Sequence, residues 1–206
     1  MLRKDDFMPK NTFFNLPQEK RNRIINAAIE EFSKVHYKKV TIDSIVNSAG
    51  VPKGSFYQYF HNKDDLYKYL FSQIVDQKKQ ALVKVKKLQN QLSFRQYVMT
   101  LLEQGKKFEQ RVSNLSALKD KFMNECSQEV KRDILKNEIP KSYEVLEEAV
   151  EFYIKKGELR QDLDVKTAAY VITSCFVNIQ DFRLSEEQAV EDVLIDILDV
   201  LIVGMK

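Results

Sequence analysis

The stretch GVPKGSFYQYF, residues 50–60, decides the fold of the N-terminal part of this chain. Gly50 permits the left-handed backbone of a tight turn, and Pro52 suits the first position of the helix that follows. The aromatic residues of that helix recur at three- and four-residue spacing, so we expect them to share one buried face. They are Phe56, Tyr59 and Phe60. The stretch therefore predicts a turn and a helix whose other face is free for function.

The free face of this predicted helix carries groups suited to a nucleic-acid surface. They belong to Lys53, Gly54, Ser55, Tyr57 and Gln58. Lysine donates to guanine and glutamine pairs with adenine, each worth about 1–3 kcal/mol of discrimination, so Lys53 and Gln58 are predicted to read bases. The residues predicted to hold the DNA backbone are Thr41, Ser55, Tyr57 and Lys63, while Gly54 lets the helix approach a phosphate. For Tyr57 the alternative is an exposed ring that packs on a neighbour.

Two helices are predicted before the turn and one after it. The first begins at Pro17 and buries a stripe of apolar residues, Ile25, Ala28, Ile29 and Phe32. It is expected to end near His36, with histidine in the left-handed cap that glycine usually occupies. Thr41 is placed to cap the second helix, and Asn62 to cap a long helix from Lys63 to Gln89. The result is a helix-turn-helix built on three short helices.

The rest of the chain also has the composition of a helical protein. Only 5 glycines and 4 prolines occur in 206 residues, and apolar residues are plentiful. The further predicted helices are 93–110, 115–124, 128–156 with a possible break at Pro140, 165–180 and 185–203. We therefore predict an all-α protein with an N-terminal arm (1–16), a helix-turn-helix domain suited to nucleic acid (17–62) and a larger helical domain (63–206).

Charge is distributed unevenly along the chain. Residues 1–63 hold eleven Lys and Arg against six Asp and Glu, whereas the net charge of the whole chain is only +3. A basic N-terminal segment is typical of proteins that bind a polyanion such as nucleic acid. The longest stretch without charge, 167–180, is shorter than the ~20 residues a membrane span needs, and no signal peptide is apparent. We expect a cytoplasmic protein without a membrane partner.

The order of these features resembles the DNA-binding domain of the TetR family over residues 21–69. The likeness rests on Thr41, Gly50-Val51, Lys53-Gly54-Ser55-Phe56-Tyr57, Tyr59-Phe60 and Asn62-Lys63 followed by acids. It implies a homodimeric bacterial transcription regulator, most often a repressor, that a small molecule releases from a palindromic operator. His36 stands where the family usually has glycine, Gln58 where histidine or tryptophan is common, and Asp43 where arginine or another polar residue is frequent.

The resemblance also implies that residues 63–206 form a helical ligand-binding and dimerisation domain, with the DNA-binding domain at 17–62. The last two predicted helices carry a wide apolar stripe, for which we predict a dimer interface through Ile172, Phe176, Val193, Ile197 and Leu201. Simple closure of the monomer core is the alternative. The middle helices supply aromatic residues and methionine for a pocket that takes an apolar or planar molecule: Tyr97, Phe108, Phe122, Met123, Tyr143 and Phe152. Ordinary core packing accounts for each of them as well.

Other classes of function are less well supported. The chain has two histidines, no glycine-rich phosphate loop and no cysteine-histidine metal spacing, so we expect no enzyme, metal or cofactor. A helical protein-interaction module that has kept the fold without DNA binding stays open. So does a thiol-based sensor using Cys126 or Cys175, which would need an exposed thiol of low pKa.

Overall fold

The structure, a computed structural model, describes residues 9–112, 114–179, 182–183, 185 and 188–205. In these residues all regular secondary structure is helical, which confirms the predicted fold class. Ten α-helices are found there: α1 (Asn11–Phe14), α2 (Gln18–Lys34), α3 (Ile42–Ala49), α4 (Lys53–Phe56), α5 (Lys63–Val83), α6 (Phe94–Arg111), α7 (Leu115–Asn124), α8 (Gln128–Lys155), α9 (Val165–Val177) and α10 (Val190–Met205). Residues 1–8 of the predicted arm, and Gln180 at the predicted end of a helix, lie outside the described residues.

Helix α2 ends differently from the prediction. Its last residue is Lys34, and Val35 then turns extended at φ −102° and ψ 143°. His36 has a φ of −54°, so the predicted left-handed cap at His36 is wrong. The histidine instead opens a 3-10 turn, Tyr37–Lys39, in which its Nδ1 accepts a hydrogen bond from the Lys38 N–H at 3.3 Å. No glycine is needed because the chain leaves the helix in an extended conformation.

The longer helices follow their sequence signals with four changes. Helix α9 ends at Val177, before the predicted end at residue 180, and α10 begins at Val190, so the predicted start at Ser185 is wrong. The α-helical part of α5 ends at Val83 and continues as a 3-10 segment, Lys84–Leu88, where a regular helix to Gln89 was predicted. Pro140 lies inside α8, which runs without interruption, so the possible break does not occur. Gly157, at φ 79°, follows the end of α8 as its stop signal predicts. No described helix is long and apolar enough to cross a membrane.

The described residues form two compact units, each with its own core. The first takes the described residues between 9 and 76 and between 109 and 138, and the second those between 77 and 108 and between 139 and 205. Rings dominate the first core: Phe32 lies 4.6 Å from Tyr67, and Phe71 lies 4.6 Å from Phe122 on α7. The predicted functional boundary at residue 63 differs from this division of the chain and stays a prediction.

The core of the second unit is arranged around Tyr153, which is fully buried. The rings of Phe94 and Phe152 lie 5.3 and 5.0 Å from it. Its hydroxyl donates to the carbonyls of Gln89 and Leu92, both at 3.0 Å. This buried polar group is therefore hydrogen-bonded, and it ties α8 to the segment between α5 and α6.

Candidate nucleic-acid interface

Helices α3 and α4 meet through a turn set by its end residues. The Thr41 hydroxyl accepts from the Ser44 N–H at 3.1 Å, and the Ser44 hydroxyl accepts from the Thr41 N–H at 3.4 Å. These two reciprocal bonds form a capping box. Gly50 has a φ of 64°, a conformation that costs glycine little. Val51, 8% exposed, lies under the turn, and its N–H donates to the Val46 carbonyl at 3.0 Å. The predicted cap and turn are both confirmed.

Helix α4 is shorter than the predicted recognition helix, which reached Phe60. It comprises Lys53–Phe56, with Pro52 as its N-cap. Beyond it the backbone bonds change to the tighter i→i+3 type, from Gln58 N–H to the Ser55 carbonyl at 3.1 Å and from Tyr59 N–H to the Phe56 carbonyl at 2.9 Å. The aromatic underside is nevertheless buried as predicted, since Phe56, Tyr59 and Phe60 are 1%, 4% and 0% exposed.

The opposite side of this segment is open, and we call it the reading face. It consists of Lys53, Gly54, Ser55, Tyr57 and Gln58, of which only Ser55 is half-buried. Tyr57 keeps 46% of its surface exposed, although its ring also makes an edge contact with Phe56 at 5.6 Å. A β-carbon on Gly54 would meet nothing within 4 Å. Packing within the chain therefore does not require glycine there, whereas the approach of another molecule would favour it.

Two side chains at the reading face form an ion pair. The Lys53 ammonium donates to the Asp43 carboxylate, with 2.8 Å between Nζ and Oδ2. This hydrogen bond and the negative charge of Asp43 raise the pKa of Lys53. Asp43 projects from the first turn of α3, so the pair connects the two helices of the helix-turn-helix across the turn.

Lys63 points into the protein. Its ammonium donates to the carbonyls of Tyr37, Lys38 and Val40 at 2.7, 3.3 and 2.9 Å, and it lies 5.0 Å from the centre of the Tyr37 ring. Burial lowers the pKa of this ammonium. Because all three donors of the lysine already have partners, a phosphate contact would require it to release one. The predicted backbone contact of Lys63 stays a prediction.

Helix α1 supports the reading face from its end, a contact that the sequence analysis missed. The backbone N–H of Lys10 donates to the Tyr59 carbonyl at 2.9 Å, and its ammonium to the Tyr57 carbonyl at 3.0 Å. The Thr12 hydroxyl donates to the Gln58 carbonyl. Three consecutive carbonyls are thus satisfied by α1 and the residue before it. A sequence signal was the adjacent pair Phe13-Phe14 within the arm.

Phe13 anchors this support. It is fully buried, and its ring lies 5.1 Å from that of Phe60 and 5.5 Å from that of Tyr69. Such edge-to-face ring pairs add to the stabilisation that burial provides. The segment 10–14 is therefore part of the folded helix-turn-helix, although it lies outside the predicted domain, 17–62.

Helix α7 is bonded to the same unit through a polar cluster beside the loop after α2. Glu125 accepts from the Tyr37 N–H at 3.1 Å and from Lys121 at 2.8 Å, while the Tyr37 hydroxyl donates to Asp64 at 2.6 Å. The hydrogen bond from Lys121 is the main reason that the pKa of Glu125 is lowered. The carboxylate consequently stays ionised and holds the loop backbone near the start of α5.

The six predicted pocket residues are divided between the two units. Phe122 belongs to the core of the first unit, and Tyr97 and Phe152 belong to that of the second. Met123 is 43% exposed, and Tyr143 makes a ring contact with Tyr170 at 5.8 Å. Phe108 is half-buried on α6. The pocket assignment stays a prediction.

The predicted dimer residues divide into two groups. Ile172 and Val193 are 0% and 3% exposed, so they offer almost no surface to a second copy. Phe176, Ile197 and Leu201 are half-buried. Exposed apolar residues that the sequence analysis did not single out lie beside them: Tyr170, Val177, Val200 and Val203 are 56%, 60%, 73% and 79% exposed. Apolar residues that recur every 3.6 positions identify a helix with an apolar side. They do not tell which apolar residues of that helix face the monomer core and which face outward.

An open groove of about 400 Å³ lies on this side of α9 and α10. Its lining includes Cys175, Phe182, Ile197, Val200 and Leu201. Among the described residues, no group of three or more His, Cys, Asp and Glu is placed to hold a metal ion.

Comparison with known proteins places residues 24–70 in the family of bacterial regulatory proteins named tetR. A TetR family transcriptional regulator from Chloroflexus aurantiacus has a similar structure, with 30% identity over 97% of this chain and 99% of that chain and a TM-score of 0.55. The fatty acid metabolism regulator protein of Bacillus subtilis is 25% identical over 151 residues, which cover 73% of this chain and 76% of that protein.

A third match is shorter. Transcriptional regulator AcuR of Cereibacter sphaeroides is 39% identical over 61 residues, which cover 26% of this chain. The match spans 28% of that protein's length.

Proposed function

The chain belongs to the TetR family of transcriptional regulators, and we propose on that premise that it is a homodimeric repressor which a small hydrophobic molecule releases from a palindromic DNA operator. The observation that carries the DNA-binding part is the reading face. Its exposed cation, phenol and amide stand on a segment whose opposite side is buried almost completely. Exposed hydrogen-bonding groups on a segment with a closely packed underside are suited to contact with a second molecule.

The operator is expected to contain two half-sites. One segment as short as 53–60 touches few base pairs, and specificity then depends on two copies held about one turn of DNA apart. The face carrying Tyr170, Val177, Val200 and Val203 supports this arrangement, because monomers rarely expose so many apolar residues together. We place the dimer contact on this face of α9 and α10, with the half-buried residues Phe176, Ile197 and Leu201 at its edge.

For the effector we propose a molecule with a long apolar portion. The cores of both units are rich in aromatic rings, and the B. subtilis relative that matches about three quarters of each chain is a regulator of fatty acid metabolism. Fatty acids and their coenzyme A thioesters of graded chain length are therefore the first compounds to test. Coenzyme A alone is the control for binding through the head group.

Release requires that the effector prefer the form that does not bind DNA. Moving an equilibrium from 1:99 to 99:1 takes about 5.5 kcal/mol of differential affinity. Helix α5 begins at Lys63, which is bonded to the loop at residues 37–40, and α7 holds the same loop through Glu125. We propose that a shift of α5 or α7 on effector binding changes the position of the reading face through these bonds.

The test is selection from random duplex DNA by the purified protein, with sequencing of the retained fraction at low and high salt. An enriched palindrome supports the proposal, and effectors are then tested for release of that sequence. Gln58→Ala should lose base preference at one position of each half-site, whereas Gln80→Ala, an exposed glutamine on α5, should not. If the protein retains DNA without enriching any sequence, and retention falls steeply as salt rises, the protein contacts phosphates without reading bases. A folded protein that retains no DNA would refute it in favour of a protein-interaction module.

A further inference from the structure

The ion pair between Asp43 and Lys53 is unusual for a surface proposed to meet DNA. Both side chains are more than half exposed, at 57% and 53%, and they are in contact at 2.8 Å. An exposed pair of this kind contributes little to stability. An ionised carboxylate also opposes binding wherever phosphates come near. The fold therefore does not explain the pair, and nonspecific DNA binding would be better without it.

The pair does match one arrangement of groups in the major groove. A G·C pair presents two acceptors, guanine N7 and O6, and then one donor, the cytosine N4 amino group. An A·T pair presents an acceptor, a donor and an acceptor, followed by the thymine methyl group. An ammonium beside a carboxylate supplies a donor and then an acceptor, in the order that G·C requires. In the same register against A·T, the ammonium faces the adenine amino group and the carboxylate faces thymine O4, so both contacts are unfavourable; a fit to adenine N7 and N6 would require the pair to shift toward N7.

We propose that Asp43 is a specificity-determining residue, and that Asp43 and Lys53 together read a G·C pair, with Lys53 on guanine and Asp43 on the cytosine amino group. This inference rests on the proposed function. The ion pair orients the flexible lysine before DNA arrives, so less side-chain freedom is lost on binding. The carboxylate also prevents the reading face from binding strongly where no cytosine amino group is available.

Two variants separate this role from a structural one. Asp43→Ala removes the acceptor and the charge, so preference for G·C at one position of each half-site should fall by about tenfold. Affinity for random DNA should rise at the same time, with a steeper salt dependence, because Lys53 becomes available to phosphates. Asp43→Asn should weaken the preference for G·C, since in the same place the asparagine amide can either accept from the cytosine amino group or donate to thymine O4. A loss of helix stability alone would produce neither change.

The controls and the contrary results are as follows. Asp120→Ala makes the same charge change at an exposed position on α7, in the same unit, and should leave base preference unchanged. Thermal melting of each variant establishes that it is folded. If wild-type protein enriches an operator and Asp43→Ala selects the same bases at every position, the base-reading role of Asp43 is wrong while the proposed function stands. If wild-type protein enriches no sequence, the proposed function fails first, and the inference fails with it.

Discussion

A residue that the sequence motif assigns to DNA binding can also stabilise the fold. Lys63 shows this best, because its position in the motif indicates DNA while its ammonium bonds three carbonyls of the loop after α2. The loop connects α2 to α3, so Lys63 also fixes the place where the helix-turn-helix begins. Its side chain is half-buried, and the carbonyls it satisfies include that of Val40, a residue with 2% exposure.

Lys63→Met should therefore destabilise the fold. Methionine keeps the length of the side chain but leaves up to three carbonyls without a donor, at a cost of about 1–3 kcal/mol. The measurement is chemical denaturation of wild type and variant. Lys87→Met, at an exposed lysine of the second unit, is the control and should change little. Unchanged stability together with a shallower salt dependence of DNA binding would instead assign Lys63 to a phosphate.

Cys126 has a chemical environment that opposes the sensor hypothesis. Burial, with a smaller contribution from Asp64, raises its pKa from the ordinary 9.0 to about 11. Between pH 9.0 and about 11 the thiol is therefore protonated in the folded protein but ionised in the unfolded chain. Since the unfolded state then binds fewer protons, stability should fall as pH rises from 9.0 to about 11.

Thermal melts across this pH range test the sign. Cys126→Ala should show a smaller loss of stability with rising pH than wild type, whatever its stability at neutral pH. Native Cys126 should also react slowly with iodoacetamide at neutral pH, because the thiolate is the reactive form. Rapid alkylation at neutral pH, lost in Cys126→Ala, would restore the sensor hypothesis.

At the scale of elements, short α1 has an effect out of proportion to its four residues. Together with Lys10, its N-cap, it satisfies the carbonyls of Tyr57 to Tyr59 at the point where α4 has already ended. Thr12→Val removes the hydroxyl that bonds the Gln58 carbonyl and leaves the side-chain shape nearly unchanged. Because Thr12 is exposed, we expect little change in stability but a several-fold loss of affinity for the selected operator, with random DNA bound as before.

Thr100→Val is the matched control for this prediction. Its hydroxyl donates to a carbonyl within α6, in the second unit, so operator binding should not respond. Equal losses for operator and random DNA in Thr12→Val would mean that α1 contributes to general affinity and does not orient Gln58.

The elements that the sequence predicted correctly are those whose ends carry a local chemical signal. Thr41, Gly50, Asn62 and Gly157 each mark a helix boundary by a hydroxyl, an amide or a left-handed glycine, and the structure uses all four. The predicted left-handed cap at His36 was wrong because a chain can leave a helix through extended residues without such a cap. The length of α4 and the support from α1 were not predictable, since both depend on contacts between segments more than forty residues apart in the chain.

The same distinction applies to the functional surfaces. The reading face follows from periodicity inside one stretch, and its residues are exposed as predicted except for Ser55, which is half-buried. Its ion pair to Asp43 depends on how α3 and α4 cross, which no pattern within either helix reveals. The pocket prediction relied on composition alone, and aromatic composition is shared by pockets and ordinary cores.

At the scale of the whole molecule, the proposed repressor depends on joining two chains. Val200 and Val203 lie on the exposed side of α10, with 73% and 79% of their surface open in the single chain. A charge at either position costs the monomer little because it stays in water. In a symmetric dimer the same charge is buried twice, without a partner, which is strongly unfavourable.

Val200→Asp should therefore fold normally but dissociate, with the dimer constant weakened on the order of a hundredfold or more. Sedimentation velocity measures the assembly state, and operator binding should fall with it because half-sites are then read singly. Val83→Asp, at an apolar residue of α5 that is 47% exposed, is the control for adding a charge. Leu198→Ala removes a fully buried residue beside the face and should cost about 2–5 kcal/mol of stability. If Val200→Asp stays dimeric and binds operator as wild type does, the contact lies on another face, and α9 and α10 only close the monomer.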